Sequence, residues 1–134
     1  MSVIVTDEGF RPDDFADPIV PLAEHGAEPG VDMPSGASAE ALDGRLDGLR
    51  LVRIDFPAAA DGRGFTLARL LRLRGYRGRL RARGHVIADQ YAMARRAGFD
   101  EVEIDAALAV RQPEEQWLAR ADWRRFDHQT RLRG

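Results

Sequence analysis

The sequence contains no cysteine among its 134 residues. This absence excludes disulfide bonds, thiolate nucleophiles, CxxC redox chemistry, and iron–sulfur clusters or zinc ions held by cysteine. If the protein takes part in redox chemistry, a bound cofactor or a partner must therefore carry the electrons. No GxGxxG motif follows a strand and no other cofactor signature is evident, so the sequence predicts no cofactor.

Lysine is absent too, and all 20 basic residues are arginines. Without lysine the chain cannot form a Schiff base. One interpretation of the bias is oxyanion recognition, because the planar guanidinium group can donate two hydrogen bonds to one anion. The favoured interpretation is the codon bias of a GC-rich genome, since Ala, Gly, Asp and Leu are also abundant.

No apolar run approaches the roughly 20 residues that a membrane-spanning helix needs. The amino terminus, residues 1–7, has neither a basic region nor a long apolar stretch and so does not resemble a signal peptide. The sequence predicts a cytoplasmic protein of one domain. Within it we expect an acidic strand and arm over 1–29, a βα core over 30–110, and a C-terminal helix and tail over 111–134.

Acidic and basic residues are unevenly distributed, although the net charge is only −2. Residues 1–49 hold 11 acids and 2 arginines, whereas residues 50–98 hold 12 arginines and 3 acids. The simplest interpretation is that one segment neutralises the other. Few aromatic side chains in the basic segment are available to stack on bases, so we expect no nucleic-acid partner.

Strand and helix patterns alternate along the chain. We predict strands over 3–5, 31–33, 51–56, 79–83 and 101–105, and helices over 38–49, 64–73, 85–97 and 113–123. Successive βα units imply parallel strands joined by right-handed crossovers. The acidic, proline-containing stretch 10–30 is predicted to be an irregular arm that packs on the core.

Three predicted strands alternate apolar and charged residues. The strand over 51–56 places Arg53 and Asp55 between apolar residues, and the strands over 79–83 and 101–105 do the same with arginines and with acids. Strands that helices cover on both faces read instead as continuous apolar runs. The alternation therefore predicts an α/β fold whose parallel strands form a singly wound, half-barrel-like sheet. Helices would cover one face, and the other would be charged.

The charged face needs a cover, because a complete (β/α) barrel takes about twice this length. It could stay open, be covered by the acidic arm, or face a second subunit. We expect the arm to cover it, with a homodimer as the second alternative. The arginine-bearing strand should lie between two acid-bearing strands, so ion pairs such as Arg81 with Glu103 or Asp55 are expected.

The loops after parallel strands all emerge at one edge of the sheet. This edge should gather Asp55, Asp61, Arg63, Arg83, His85 and Asp105, with Arg53, Arg81 and Glu103 lower on the charged face. Residues 61–64 (Asp-Gly-Arg-Gly) lead into a helix, whose free N–H groups favour an anion. An oxyanion held by Arg63, Arg81 and these amides is one interpretation. The other is a capping aspartate, a tight turn and an arginine paired with the acidic face.

Metal binding and acid/base catalysis have weaker support. His85 and Asp89 are four residues apart on a predicted helix, but no third ligand is evident, so no metal is predicted. Asp55 with Asp61 or Asp105 could form an acid/base pair. Ion pairing with arginine is the favoured use of these carboxylates.

Other polar and aromatic residues have structural interpretations. Asp89 suits the helix dipole near the start of its helix, and Gln90 is expected to bond loop backbone. Trp117, Trp123 and Phe126 are expected to be core or dimer contacts. No serine lies where a histidine could activate it as a nucleophile.

The ordered motifs are 55–57 (Asp-Phe-Pro), 61–63 (Asp-Gly-Arg), Arg81-Ala82 with Gly84, Asp89-Gln90 and 98–100 (Gly-Phe-Asp). Over about residues 45–105 this string resembles the bacterial domain of unknown function 934 family. Its members are commonly described as probable oxidoreductases involved in sulfite reduction, and their genes often lie beside assimilatory sulfite reductase. His85 stands where the family usually carries an acid, which weakens any metal or acid/base role at that position.

The resemblance implies a pathway, sulfite reduction within sulfur assimilation and cysteine biosynthesis, and a partner, sulfite reductase. Because the chain offers no redox centre, an accessory role that binds a small oxyanion or docks on the reductase fits better than an autonomous oxidoreductase. The alternatives are an acid/base enzyme acting on a small anion and a structural interaction module. The functional candidates that match the resemblance are Asp61, Arg63, Arg81, Asp89 and Gln90, to which the position at the sheet edge adds Asp55.

Overall fold

A computed structural model describes residues 2–124. The strands of these residues are β1 (Ser2–Thr6), β2 (Gly9–Arg11), β3 (Ile19–Pro21), β4 (Gly30–Pro34), β5 (Leu51–Phe56), β6 (Arg79–Gly84) and β7 (Glu101–Asp105). The α-helices are α1 (Arg63–Leu73), α2 (Tyr91–Ala97), α3 (Ala106–Arg111) and α4 (Glu114–Leu118). Each helix within residues 2–124 is too short or too polar to cross a bilayer.

All seven strands form one sheet, in the order β2-β1-β7-β6-β5-β4-β3. Strands β3 to β7 are parallel and lie side by side in chain order. Strand β1 pairs antiparallel with β7, and β2 pairs antiparallel with β1. The βα units therefore wind in one direction, and the predicted α/β half-barrel-like fold is confirmed.

The apolar face of the central strands packs against α1 and α2. The rings of Phe56 on β5, Phe65 on α1 and Phe99 before β7 cluster here, with centroids 4.9 Å apart for Phe56–Phe65 and 5.8 Å for Phe56–Phe99. Burying one such ring contributes about 1.5–3 kcal/mol. Gly64 allows α1 to approach this closely, because a Cβ there would overlap the Phe56 ring.

The predicted helix over 38–49 is wrong. The segment forms two short 3-10 turns, Ala39–Leu42 and Leu46–Gly48. Ser38 does cap the first turn, accepting a hydrogen bond from the Glu40 N–H at 3.2 Å. Gly44 separates the turns with a φ of +82°, a left-handed conformation that a continuous helix cannot contain.

Two further helices differ from the prediction in their bounds. The helix expected over 85–97 starts later, since a 3-10 turn, Ala88–Gln90, precedes α2. Gly98 ends α2 in a left-handed conformation with a φ of +116°. The helix expected over 113–123 begins after Pro113 but is only α4.

Helix α3 was not predicted. It follows β7 without a loop, because Asp105, the last strand residue, accepts a hydrogen bond from the Leu108 N–H at 2.8 Å and caps the helix. Trp117 is buried in the core and Trp123 packs partly against it, as expected. Phe126 lies outside the described residues.

The predicted arm is only partly irregular. It contributes β2 and β3 to the two edges of the sheet, and β3 pairs with β4 from Ile19–Gly30 to Pro21–Asp32. The segment between β2 and β3 crosses the charged face, as described below. The arm therefore forms both edge strands of the sheet and covers part of its charged face.

Candidate functional site

The charged face centres on Arg81 in β6, whose side chain is fully buried. Its Nε donates to Glu101 Oε2 at 2.7 Å, and its Nη1 donates to Glu103 Oε1 at 2.8 Å. The Arg81–Glu103 ion pair is therefore confirmed. Burial by itself lowers the pKa of Arg81, but the carboxylates of Asp13, Glu101 and Glu103 outweigh this effect and hold the pKa above its ordinary value.

The acidic arm lies over this face, as expected. The two Asp13 carboxylate oxygens accept hydrogen bonds from Arg81 Nη1 and Nη2, each at 3.1 Å. Asp14 accepts from Arg79 Nη2 at 2.8 Å, and the Phe15 ring centroid lies 5.7 Å from the Arg79 guanidinium carbon. Arg81 therefore has its donors occupied by protein carboxylates, and an oxyanion could reach it only by displacing them.

A second arginine, whose side chain is 13% exposed, extends the network toward β4. Arg53 on β5 donates to both carboxylate oxygens of Asp32 at 2.5 and 2.8 Å and to Glu103 at 3.1 Å. The hydrogen bonds that Arg53 donates to the Asp32 carboxylate raise the pKa of Arg53, and burial offsets this effect in part. The arginines of the adjacent strands β5 and β6 are thus flanked by acids of β4 on one side and of β7 on the other.

The predicted candidates Asp61 and Arg63 form one cluster with Ser35 at the carboxyl edge of the sheet. Asp61 Oδ2 accepts from Arg63 Nη2 and from Ser35 Oγ, both at 2.8 Å, while Oδ1 accepts from the Arg63 N–H at 3.1 Å. The Arg63 guanidinium and these other donors hold the pKa of Asp61 well below its usual range. Asp61 thus remains ionised near neutral pH and is a poor proton donor.

Gln90 joins two loops of the same edge. Its Nε2 donates to the Ala59 carbonyl at 2.7 Å, and its Oε1 accepts from the Ile87 N–H at 3.0 Å. The loop after β5 is thereby tied to the loop after β6, in agreement with the expected bond to loop backbone. Asp89 contacts a different part of the molecule, accepting from Arg120 at 2.7 Å.

The remaining carboxylates of the edge have separate partners. Asp55 lies 3.7 Å from Arg83 Nε rather than beside Arg81. Asp105 caps α3, and Asp61 is held by Arg63 and Ser35. The structure therefore does not join Asp55, Asp61 and Asp105 to a common partner.

A cavity of about 220 Å³, here called the rim cavity, opens where β6 and β7 end. Its polar lining includes Arg83, His85 and Arg111 together with Glu103 and Asp105. Gly84, at the end of β6, has a φ of +112° that turns the chain so that the His85 N–H donates to the Phe56 carbonyl at 2.9 Å.

Asp13, Ser35 and Arg111 were not singled out from the sequence. The sequence feature that could have predicted the arm contact is the acidic pair Asp13-Asp14, because the core strands of this chain carry many arginines. Arg111 had no signal, because it belongs to the unpredicted helix α3. Within residues 2–124, no group of three or more histidine, aspartate or glutamate side chains is arranged to hold a metal ion.

Comparison with known proteins gives one family. A family model described as bacterial protein of unknown function (DUF934) matches residues 30–130. A search of curated proteins gives no match. The matched segment contains β4 to β7, the four helices and every predicted candidate residue. The chain therefore belongs to the DUF934 family of bacterial proteins.

Proposed function

We propose that this protein is an accessory component of assimilatory sulfite reduction, acting in the cytoplasm beside sulfite reductase. It would bind a small oxyanion or dock on the reductase, and the reductase would supply the electrons. The chain has no cysteine with which to build a redox centre of its own. The pathway comes from the motif string between Asp55 and Asp100.

One observation favours binding over acid/base chemistry in this proposal. The acids of the charged face are each held by an arginine, and the arm covers the centre of that face. A general acid or base needs a carboxyl group that can reach substrate and exchange a proton near the working pH. Arg63 at the carboxyl edge, in contrast, keeps a side chain that is 66% exposed.

A structural interaction module is the second candidate. The observation that favours it is the cover itself: Asp13, Asp14 and Phe15 place their side chains against Arg79 and Arg81. In this case the outer surface would carry the function. The protein would then bind its partner equally well with or without sulfite.

The proposal is tested by deleting the gene in the bacterium that encodes it. We expect the deletion strain to grow poorly with sulfate as sole sulfur source and normally with cysteine. Normal growth on sulfate would refute the proposed pathway. Complementation should succeed with the wild-type gene and with Arg69→Ala, which changes an exposed arginine on α1.

Two further measurements separate the accessory role from the alternatives. Arg63→Ala removes an exposed cation of the carboxyl edge and should reduce complementation while the purified variant remains folded. Tagged protein should co-purify with sulfite reductase, whose absorbance would also reveal any flavin or haem in the isolated complex. Co-purification that sulfite leaves unchanged would favour docking or the interaction module over oxyanion binding.

A further inference from the structure

Three basic side chains line the rim cavity without a close partner among the described residues. Arg83 has only the 3.7 Å contact with Asp55, and Arg111 and His85 have no side-chain hydrogen bond or ion pair within residues 2–124. Most arginines of the charged face, by contrast, are bound by carboxylates. The rim cavity is thus a place where donors remain available.

The acids of the same cavity are already engaged. Glu103 accepts hydrogen bonds from Arg53 and Arg81, and it is nearly fully buried. Asp105 accepts from the Leu108 N–H and caps α3. Because these carboxylates have donors of their own, the two guanidinium groups and the imidazole are the groups left to meet a ligand.

We infer that the rim cavity binds a small oxyanion through Arg83 and Arg111, with His85 as a further hydrogen-bond donor. Guanidinium groups bind oxyanions through short, charge-assisted hydrogen bonds. The cavity also lies outside the carboxyl ends of parallel strands, the usual position of ligands in α/β sheets. For its physiological ligand, sulfite or sulfate, the inference rests on the proposed function.

The size of the cavity limits the ligand. Its volume of about 220 Å³ is below the roughly 300–1,000 Å³ of sites that hold drug-sized molecules. A nucleotide would not fit inside it, whereas an inorganic oxyanion and a few waters would. Sulfate, sulfite and phosphate share the chemistry that the arginines recognise, so the three are compared directly.

The test is isothermal titration of the full-length protein with sulfate, sulfite, phosphate and acetate, in a low-salt buffer that contains no oxyanion. We expect saturable binding of one inorganic oxyanion and weaker binding of acetate. Arg83→Ala and Arg111→Ala should each reduce the affinity for the anion by about tenfold or more, because each variant loses at least one charge-assisted hydrogen bond to it. Stronger binding of phosphate than of the sulfur oxyanions would keep the site and reassign its ligand.

Arg69→Ala is the matched control, since Arg69 is an exposed arginine outside the cavity. Its affinity should equal that of the wild type. The absence of saturable binding by any of the inorganic anions would overturn the inference, and so would equal binding by all variants. Circular dichroism of Arg83→Ala and Arg111→Ala establishes that any loss is not unfolding.

The inference and the proposed function can fail separately. If the anion binds in the rim cavity but the deletion strain grows normally on sulfate, the site stands and the pathway falls. If deletion abolishes growth on sulfate while the Arg83→Ala, Arg111→Ala double variant binds sulfate as the wild type does, the pathway stands and the site falls.

Discussion

Asp13 and Arg81 lie 68 positions apart in the sequence and meet through two hydrogen bonds of 3.1 Å. The Arg81 side chain is fully buried and the Asp13 side chain is 33% exposed, and the pair holds the arm over the middle of the sheet. The carboxylate also accepts a bond from the Phe15 N–H at 2.9 Å, which shapes the arm around it. Contacts between residues so far apart in the sequence form only when the sheet is assembled.

The first prediction concerns the arm. Asp13→Asn keeps the side-chain shape but removes the charge opposite Arg81, and should reduce the free energy of unfolding by about 1–3 kcal/mol. Asp17→Asn is the control, because Asp17 pairs with Arg50 on an exposed surface where ion pairs contribute about 0–1 kcal/mol. Urea denaturation measures both. Equal stability of the two variants would show that the arm contact adds nothing.

The second prediction concerns the buried arginine. Arg81→Met should cost about 1.5–3 kcal/mol, since it removes the buried partner of Glu101 and Glu103 and leaves each carboxylate with one arginine, Arg79 and Arg53 respectively. Combining it with Glu101→Gln and Glu103→Gln removes those charges and should restore part of the stability. The readout is the midpoint of urea denaturation. A triple variant less stable than Arg81→Met would contradict this account.

The third prediction is a pH dependence centred on Asp7, in the turn between β1 and β2. Partial burial raises its pKa, but hydrogen bonds from Tyr91, Arg95 and Trp123 outweigh burial and hold the pKa below its ordinary 3.8. A pKa lower in the folded state means that the stabilisation is present above the unfolded pKa and is lost as pH falls through the folded value.

Asp7→Asn should therefore lower the free energy of unfolding near neutral pH and make it fall less steeply below about pH 4. Urea denaturation at a series of pH values down to about 2.5 tests this. Asp47→Asn, at an exposed position, serves as the control and should retain the wild-type slope. If the free energy of unfolding of Asp7→Asn falls with pH as steeply as that of the wild type, Asp7 does not contribute to acid destabilisation.

The fourth prediction concerns Gly84, in the turn that lines the rim cavity. Gly84 has a φ of +112°, and a Cβ added there would lie 2.6 Å from the Phe56 carbonyl oxygen. Gly84→Ala should destabilise the protein by about 1–3 kcal/mol. Gly62→Ala is the control, since Gly62 has no positive φ and no atom within 4 Å of the added Cβ. Thermal denaturation should separate the two variants clearly.

The sheet could be predicted because the alternating residue pattern of each strand is local in the sequence. Arg53 and Asp55 alternate with apolar neighbours, and a period of two assigns each side chain to one face whatever the rest of the chain does. The parallel order of β5, β6 and β7 followed from the intervening helices. Asp61 and Arg63 were placed at the carboxyl edge for the same reason.

The elements that were missed depend on contacts distant in sequence or on overlapping signals. Strand β3 is three residues long and ends in Pro21, so only its pairing with β4 makes it a strand. Helix α3 begins at the residue after β7, with Asp105 serving both elements. Without that helix Arg111 could not be assigned to the rim cavity.

The charged face has a consequence for strand alignment. Shifting β6 by one residue against its neighbours would turn Arg79, Arg81 and Arg83 under the helices and expose Leu80 and Ala82 to the arm. Three unpaired cations in the apolar layer are far costlier than a lost contact. The arginine–carboxylate network thus specifies a single strand register. It disfavours misaligned sheets even if it contributes little to the net free energy of folding.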